Sequence, residues 1–170
     1  QIPVNQSGVI DLTFLKDLIA NRGAEIALIA VMHANNETGV IQPVAEVVKI
    51  AGDIPVHTDA VQSFTKVPLS YKELGVTSMA LSGHKVGGPH GIGALILRRA
   101  YEIPALLHGG GQEREIRSGT LNTPSIVAFA AAVASKKYAA EKVSDLRAKF
   151  EIGVMMSAPD AYINGVDVDR

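Results

Sequence analysis

Three short polar clusters each directly follow an apolar run, and together they hold residue types that could do chemistry on an amine. Lys85 lies in Ser82-Gly83-His84-Lys85, on a tight loop before Gly87-Gly88-Pro89. A lysine forms an imine only after losing its proton, and burial or a nearby positive charge eases that loss. Asp59 closes the run Pro55-Val56-His57-Thr58-Asp59. A carboxylate there can pair with a protonated pyridine nitrogen and make a bound ring an electron sink. It can equally cap a helix over 60–64. Gln62 could reach an oxygen of such a ring, or act as the capping-box partner of Asp59.

Ser82 and His84 can donate hydrogen bonds to a phosphate, and Gly83 would let backbone approach it closely. Asn36, in His33-Ala34-Asn35-Asn36-Glu37-Thr38-Gly39, could donate an amide hydrogen bond to a ring oxygen. The same run is good turn chemistry, so both roles stay open. Gly109-Gly110-Gly111 could form a phosphate nest, but without a Lys-Ser/Thr ending it is not a Walker loop. Arg114, Arg117 and Thr120 are candidate anion contacts; an exposed basic loop would look the same.

The elements that must position these groups follow from hydrophobic spacing. Asp11 is a plausible N-cap for a helix carrying Leu12, Leu15, Leu18 and Ile19, with Gly23 placed to end it. The near-continuous run from Glu25 to Met32 fits a strand buried on both faces. Pro43 fits the first turn of a helix to about Ala51, with Val44, Val47 and Val48 on one face. Ile54 to Thr58, Val76 to Leu81, and Gly93 to Leu97 read as strands ending at or near polar residues. Pro124 opens a long helix to about Phe150. Alternating strands and helices predict an α/β fold: three layers, a mostly parallel sheet and helices on both faces. In such sheets ligands bind beyond the carboxyl ends of the strands. That puts 35–37, 59–62 and 82–85 on one rim.

Composition sets the outer bounds. The chain has 170 residues, 47% hydrophobic and 19% charged, which is the composition of a folded domain rather than a disordered one. A net charge of −1 offers no general attraction to nucleic acid or anionic membranes. No apolar run approaches the roughly 20 residues of a membrane span, and no signal peptide is visible. With no cysteine, the chain holds no disulfide, thiolate metal site or thiol nucleophile, and no metal site is expected. Cytoplasm is the default compartment. Gln1 at the start and a strand-like pattern over 161–170 read as cut ends of a larger protein. Residues 1–157 are expected to be part of a cofactor-binding large domain, and 158–170 the start of the segment leading to a C-terminal small domain.

Four runs carry a family likeness: MHANNETGVIQP (32–43), HTDAVQ (57–62), SGHK with GP and GIGAL (82–95), and HGGGQER with RSGTLNTP (108–124). In order and spacing they resemble the cysteine desulfurases, in the class V branch of fold-type I pyridoxal-phosphate enzymes. The likeness covers nearly the whole chain, and the set is far more specific than any single run. It implies that Lys85 holds pyridoxal 5′-phosphate as a Schiff base, that Asp59 pairs with the pyridine nitrogen, and that Gln62 contacts the ring hydroxyl. It further implies Asn36 beside ring and substrate, Ser82 and His84 on the phosphate, and Thr120 on the phosphate of the partner subunit in a homodimer. The implied reaction removes sulfur from L-cysteine, giving L-alanine and a persulfide. The sulfur then passes to an acceptor or scaffold protein for iron–sulfur cluster assembly or thio-modification.

The chain also departs from the family pattern. The catalytic cysteine and the carboxylate-binding arginine of that pattern fall after residue 170, and the ring-stacking histidine falls before residue 1. An isolated chain of this extent is therefore expected to turn over little or no substrate. His90 stands where Lys or Arg is common, and Glu115 where glycine is usual. A selenocysteine lyase or cysteine/cystine lyase of the same class, and a non-catalytic homologue or assembly surface, are the alternatives.

Overall fold

A computed structural model describes residues 1–135 and 140–170. Helix α1 (Leu12–Arg22) begins where Asp11 accepts a hydrogen bond from the Phe14 N–H at 2.9 Å. Strand β1 (Ile29–Met32) follows, then α2 (Val44–Ala51), β2 (Val56–Asp59), α3 (Tyr71–Leu74) and β3 (Ser78–Ser82). Strand β4 (Gly93–Leu97) completes a sheet of order β1-β2-β3-β4. The first three strands are parallel and β4 runs antiparallel to β3. Helices α4 (Thr123–Ser135) and α5 (Ala140–Ser157) follow. The mostly parallel α/β fold expected from the alternating pattern is thus the fold found.

The core lies between the sheet and α1–α2. Leu15 of α1, Val44 and Val47 of α2, Ile29 and Val31 of β1, Val56 of β2 and Met79 of β3 form one buried cluster. Each such side chain contributes roughly 1.5–3 kcal/mol by leaving water. On α2 the buried Val44, Val47 and Ala51 share a face, while Glu46 and Lys49 are exposed on the other.

Several expectations need correction. The apolar run 25–32 is not a strand buried on both faces. Only 29–32 is extended, and burial alternates along it, with Met32 40% exposed. β1 is an edge strand, and successive side chains point to opposite faces, only one of which meets the core cluster. Gly23 does not take a left-handed C-terminal conformation: its φ is −55°, and the chain continues as a short 3-10 turn. Pro43 sits just outside α2 as its N-cap. The segment 60–64 makes one turn, with the Phe64 N–H bonded to the Ala60 carbonyl at 2.9 Å, but no helix; Thr65, at φ +62°, interrupts it. The long helix expected from Pro124 appears as α4 and α5, and the part of that expectation over 136–139 lies outside the described residues. Residues 161–170 form turns rather than a strand, with a bend at Gly165 (φ +68°), a turn bond from the Val168 N–H to the Gly165 carbonyl, and a tie to the rest of the fold from the Ile41 N–H to the Asp169 carbonyl. Among the described residues no helix is long and apolar enough to cross a membrane.

Candidate active site

The ends of three parallel strands bring the polar clusters together. Met32 pairs with Asp59 across β1–β2, and Asp59 with Ala80 across β2–β3. Adjacent strands lie about 4.8 Å apart, so the segments that follow share one rim. The His33 N–H extends the first pairing by donating to the Asp59 carbonyl at 2.8 Å.

After β1 the chain turns at once. Asn35 Oδ1 accepts from the N–H groups of Glu37 and Thr38, both at 2.9 Å. Asn35 therefore carries the turn chemistry, and the exposed Asn36 makes no side-chain hydrogen bond among the described residues. After β2, Asp59 Oδ1 accepts from the Val61 N–H at 2.9 Å. Asp59 thus caps the 60–64 turn while its carboxylate remains exposed at the rim. Gln62 makes no capping box with Asp59; its Oε1 accepts from Lys66 Nζ at 3.0 Å.

After β3, Ser82 Oγ and His84 Nδ1 lie 2.8 Å apart. His84, Lys85 and Val86 form a short 3-10 turn in which Val86 is buried and Lys85 points to solvent. Burial, one of the two means argued for lowering the lysine pKa, is therefore not supplied by the described residues. Gly83 is needed for a reason other than phosphate approach. A Cβ there would stand 2.6 Å from Ile92 Cγ2 and 3.2 Å from the Pro89 carbonyl oxygen. The glycine thus lets 89–92 close over the site turn, with the Gly83 N–H bonded to the Ile92 carbonyl at 2.9 Å.

Thr120 is exposed in the loop before α4, and among the described residues its side chain makes no hydrogen bond to the rim residues. In the same loop Gln112 Oε1 accepts from the Gly119 N–H at 2.9 Å. Glu113, Arg114 and Glu115 all have positive φ, at +51°, +58° and +65°. The position where glycine is usual is therefore left-handed, and glutamate occupies it under strain. Arg114 and Arg117 border a cavity of about 630 Å³ lined by Ile92, Leu95, Ile116 and Phe129.

Two histidines beside the rim were given no site role by sequence: His90 was noted only as a departure from the family pattern, and His33 only within the run that holds Asn36. His90 stacks on His84, with ring centroids 5.0 Å apart and planes 11° apart. The signal available was only a histidine six residues on, across a Gly-Gly-Pro turn. His33 is 6% exposed, its Nδ1 has no partner among the described residues, and burial lowers its pKa. Its place after a buried strand was visible, but its burial was not.

The class-V aminotransferase family model matches residues 1–152. Human cysteine desulfurase is 42% identical over 172 aligned residues, covering 96% of this chain and 37% of that protein. The crystal structure of a NifS-like protein from Rickettsia africae superposes with a TM-score of 0.90 at 36% identity, covering 99% of this chain and 48% of the other. A structure of SspA in complex with cysteine superposes with a TM-score of 0.75 at 38% identity, covering 88% and 44%. The chain thus spans less than half the length of the curated relatives it matches.

Proposed function

Because the chain belongs to the class V aminotransferase family, we propose that the intact protein is a pyridoxal-phosphate-dependent cysteine desulfurase. The observation that carries this reading is the donor set on one rim: an amide at Asn36, a carboxylate at Asp59, a hydroxyl and imidazole at Ser82 and His84, and an amine at Lys85. That set fits the cofactor group by group. Asn36 and Lys85 reach solvent, and Asp59 keeps an exposed carboxylate while capping its own turn. The desulfurase relatives support the reaction, and the relative solved with cysteine supports the substrate.

Bound at this rim, pyridoxal phosphate would supply an electron sink for bond breaking at the amino acid's carbons. Lys85 would hold it covalently through Nζ and move protons at the substrate's α-carbon. Asp59 would keep the ring nitrogen protonated, since a carboxylate favours the charged form of a cation beside it. Asn36 would orient the ring by hydrogen bonding to its oxygen. Gln62 would add a second contact there through its amide nitrogen, its oxygen being held by Lys66. Ser82 and His84 would anchor the phosphate, with Thr120 reaching the phosphate of a second subunit in a homodimer.

The overall change converts L-cysteine and a thiol into L-alanine and a persulfide. This chain has no cysteine, so the accepting thiol comes from elsewhere in the protein or from a partner. A sulfur-acceptor or scaffold protein would then take the sulfur for iron–sulfur clusters or thio-modification, in the cytoplasm.

The test is an assay of the intact protein with L-cysteine, reading alanine and, with added thiol, sulfide in equal amounts. Comparable runs with L-selenocysteine and cystine separate the other members of the class. Alanine formed from cysteine supports the desulfurase. Selenide released without activity on cysteine, pyruvate in place of alanine, or no product at all would reject it.

A further inference from the structure

We propose that His90 is a positioning residue for the phosphate site: its ring lies flat on His84 and fixes the plane in which that imidazole meets the phosphate. The inference rests on the cofactor reading given above and adds to it a residue outside the phosphate-binding set. Three contacts carry it. The two rings are nearly parallel, 11° apart, with centroids at 5.0 Å. His84 is held at its other side by Ser82, 2.8 Å from Nδ1 to Oγ. The backbone that carries His90 is clamped to the backbone that carries His84, through Gly83 N–H to the Ile92 carbonyl and Gly88 N–H to the Gly83 carbonyl, both at 2.9 Å.

The need for such a support follows from exposure. His84 is exposed, and an exposed side chain is free to rotate about two bonds unless something holds it. One hydrogen bond to Ser82 leaves the ring free to swing about that contact. A flat neighbour removes the swing, because stacked aromatic rings resist sliding and tilting. The Ser82 contact engages Nδ1, so an N–H carried on Nε2 points away from Ser82. That outward N–H is the group a phosphate oxygen would accept, and its direction is set by the ring plane. The tight approach at Gly83 explains why the stack is built in: Ile92 and Pro89 press on residue 83 so closely that a Cβ would not fit.

The test uses the intact protein and the affinity of two probes, pyridoxal phosphate and phosphate-free pyridoxal. Both are read by the visible absorbance that each acquires on binding at Lys85. Losing an exposed stack should weaken pyridoxal phosphate about three- to tenfold in His90→Ala. Pyridoxal should bind this variant as it binds wild type, because it has no phosphate for His84 to meet. His90→Phe, which keeps a flat ring and drops the nitrogens, should restore the binding of pyridoxal phosphate. Equal losses for both probes would mark a merely structural role and overturn the inference. Unchanged affinity in His90→Ala, or failure of His90→Phe to rescue, would also overturn it. If wild type binds neither probe at Lys85, the cofactor reading fails, and the role of His90 fails with it; if wild type binds both, only the inference about His90 is at stake.

Discussion

Asn35 and Asn36 are adjacent and divide one turn between them: Asn35 Oδ1 ties down the N–H groups of Glu37 and Thr38, and Asn36 is left exposed without a side-chain hydrogen bond among the described residues. The two substitutions should therefore separate. Asn35→Ala loses two hydrogen bonds to backbone and should cost about 1–2 kcal/mol of stability. Asn36→Ala should leave stability within about 0.5 kcal/mol, as surface changes usually do, while weakening cofactor or substrate binding. Urea unfolding and a cofactor titration on each variant check the pair.

Glu115 sits at φ +65°, between an equally left-handed Arg114 and the turn to Ile116. Glycine takes that backbone without the steric cost that glutamate meets. Glu115→Gly should stabilise the protein by about 1 kcal/mol, read as a raised urea midpoint with an unchanged slope. A lowered midpoint would mean that Glu115 makes compensating contacts.

His33 gives the stability a pH dependence of predictable sign. Burial lowers its pKa in the folded state below the ordinary value of 6.5. The unfolded chain therefore binds the proton more readily, and stability drops wherever it does so. Stability should be undiminished above about pH 6.5, fall as the pH drops below that, and level off below the folded pKa. His33→Gln should flatten this part of the profile, which thermal melts across pH 5–8 would read.

Much of this site could be read from the sequence because parallel strands announce their own ends. β3 stops at Ser82, where the apolar run Met79-Ala80-Leu81 gives way to polar residues, and β2 stops at the expected Asp59, although His57 and Thr58 already break its apolar run. The N-cap at Asp11 and the buried face of α2 were likewise local matters. What escaped depends on neighbours distant in sequence. The 25–32 run looked doubly buried, but burial requires a second layer, and β1 meets the core cluster on one face only. Gln62 was placed near Asp59 by helical spacing, yet no helix forms there and Lys66 takes its amide oxygen. The His84–His90 stack needs the path of 87–92, which no periodicity specifies.

Gly83 supplies a steric test of how that path is held. Its φ of −67° suits any residue, so Gly83→Ala should act through contact alone. A methyl 2.6 Å from Ile92 Cγ2 must push 89–92 away, at a cost of about 1–3 kcal/mol. Adding Ile92→Ala should recover part of that cost but not all, because the Ile92 and Pro89 carbonyl oxygens stay at 3.1 and 3.2 Å. A double-mutant cycle by chemical denaturation measures the coupling.

The central claim is that Lys85 is the residue that holds the cofactor, and the visible absorbance of pyridoxal phosphate on the intact protein tests it most directly. Wild type should carry a band that borohydride reduction fixes to the peptide containing Lys85, and Lys85→Ala should lack the band while remaining folded by circular dichroism. A band that survives unchanged in Lys85→Ala, or reduction that labels a different lysine, would contradict the account.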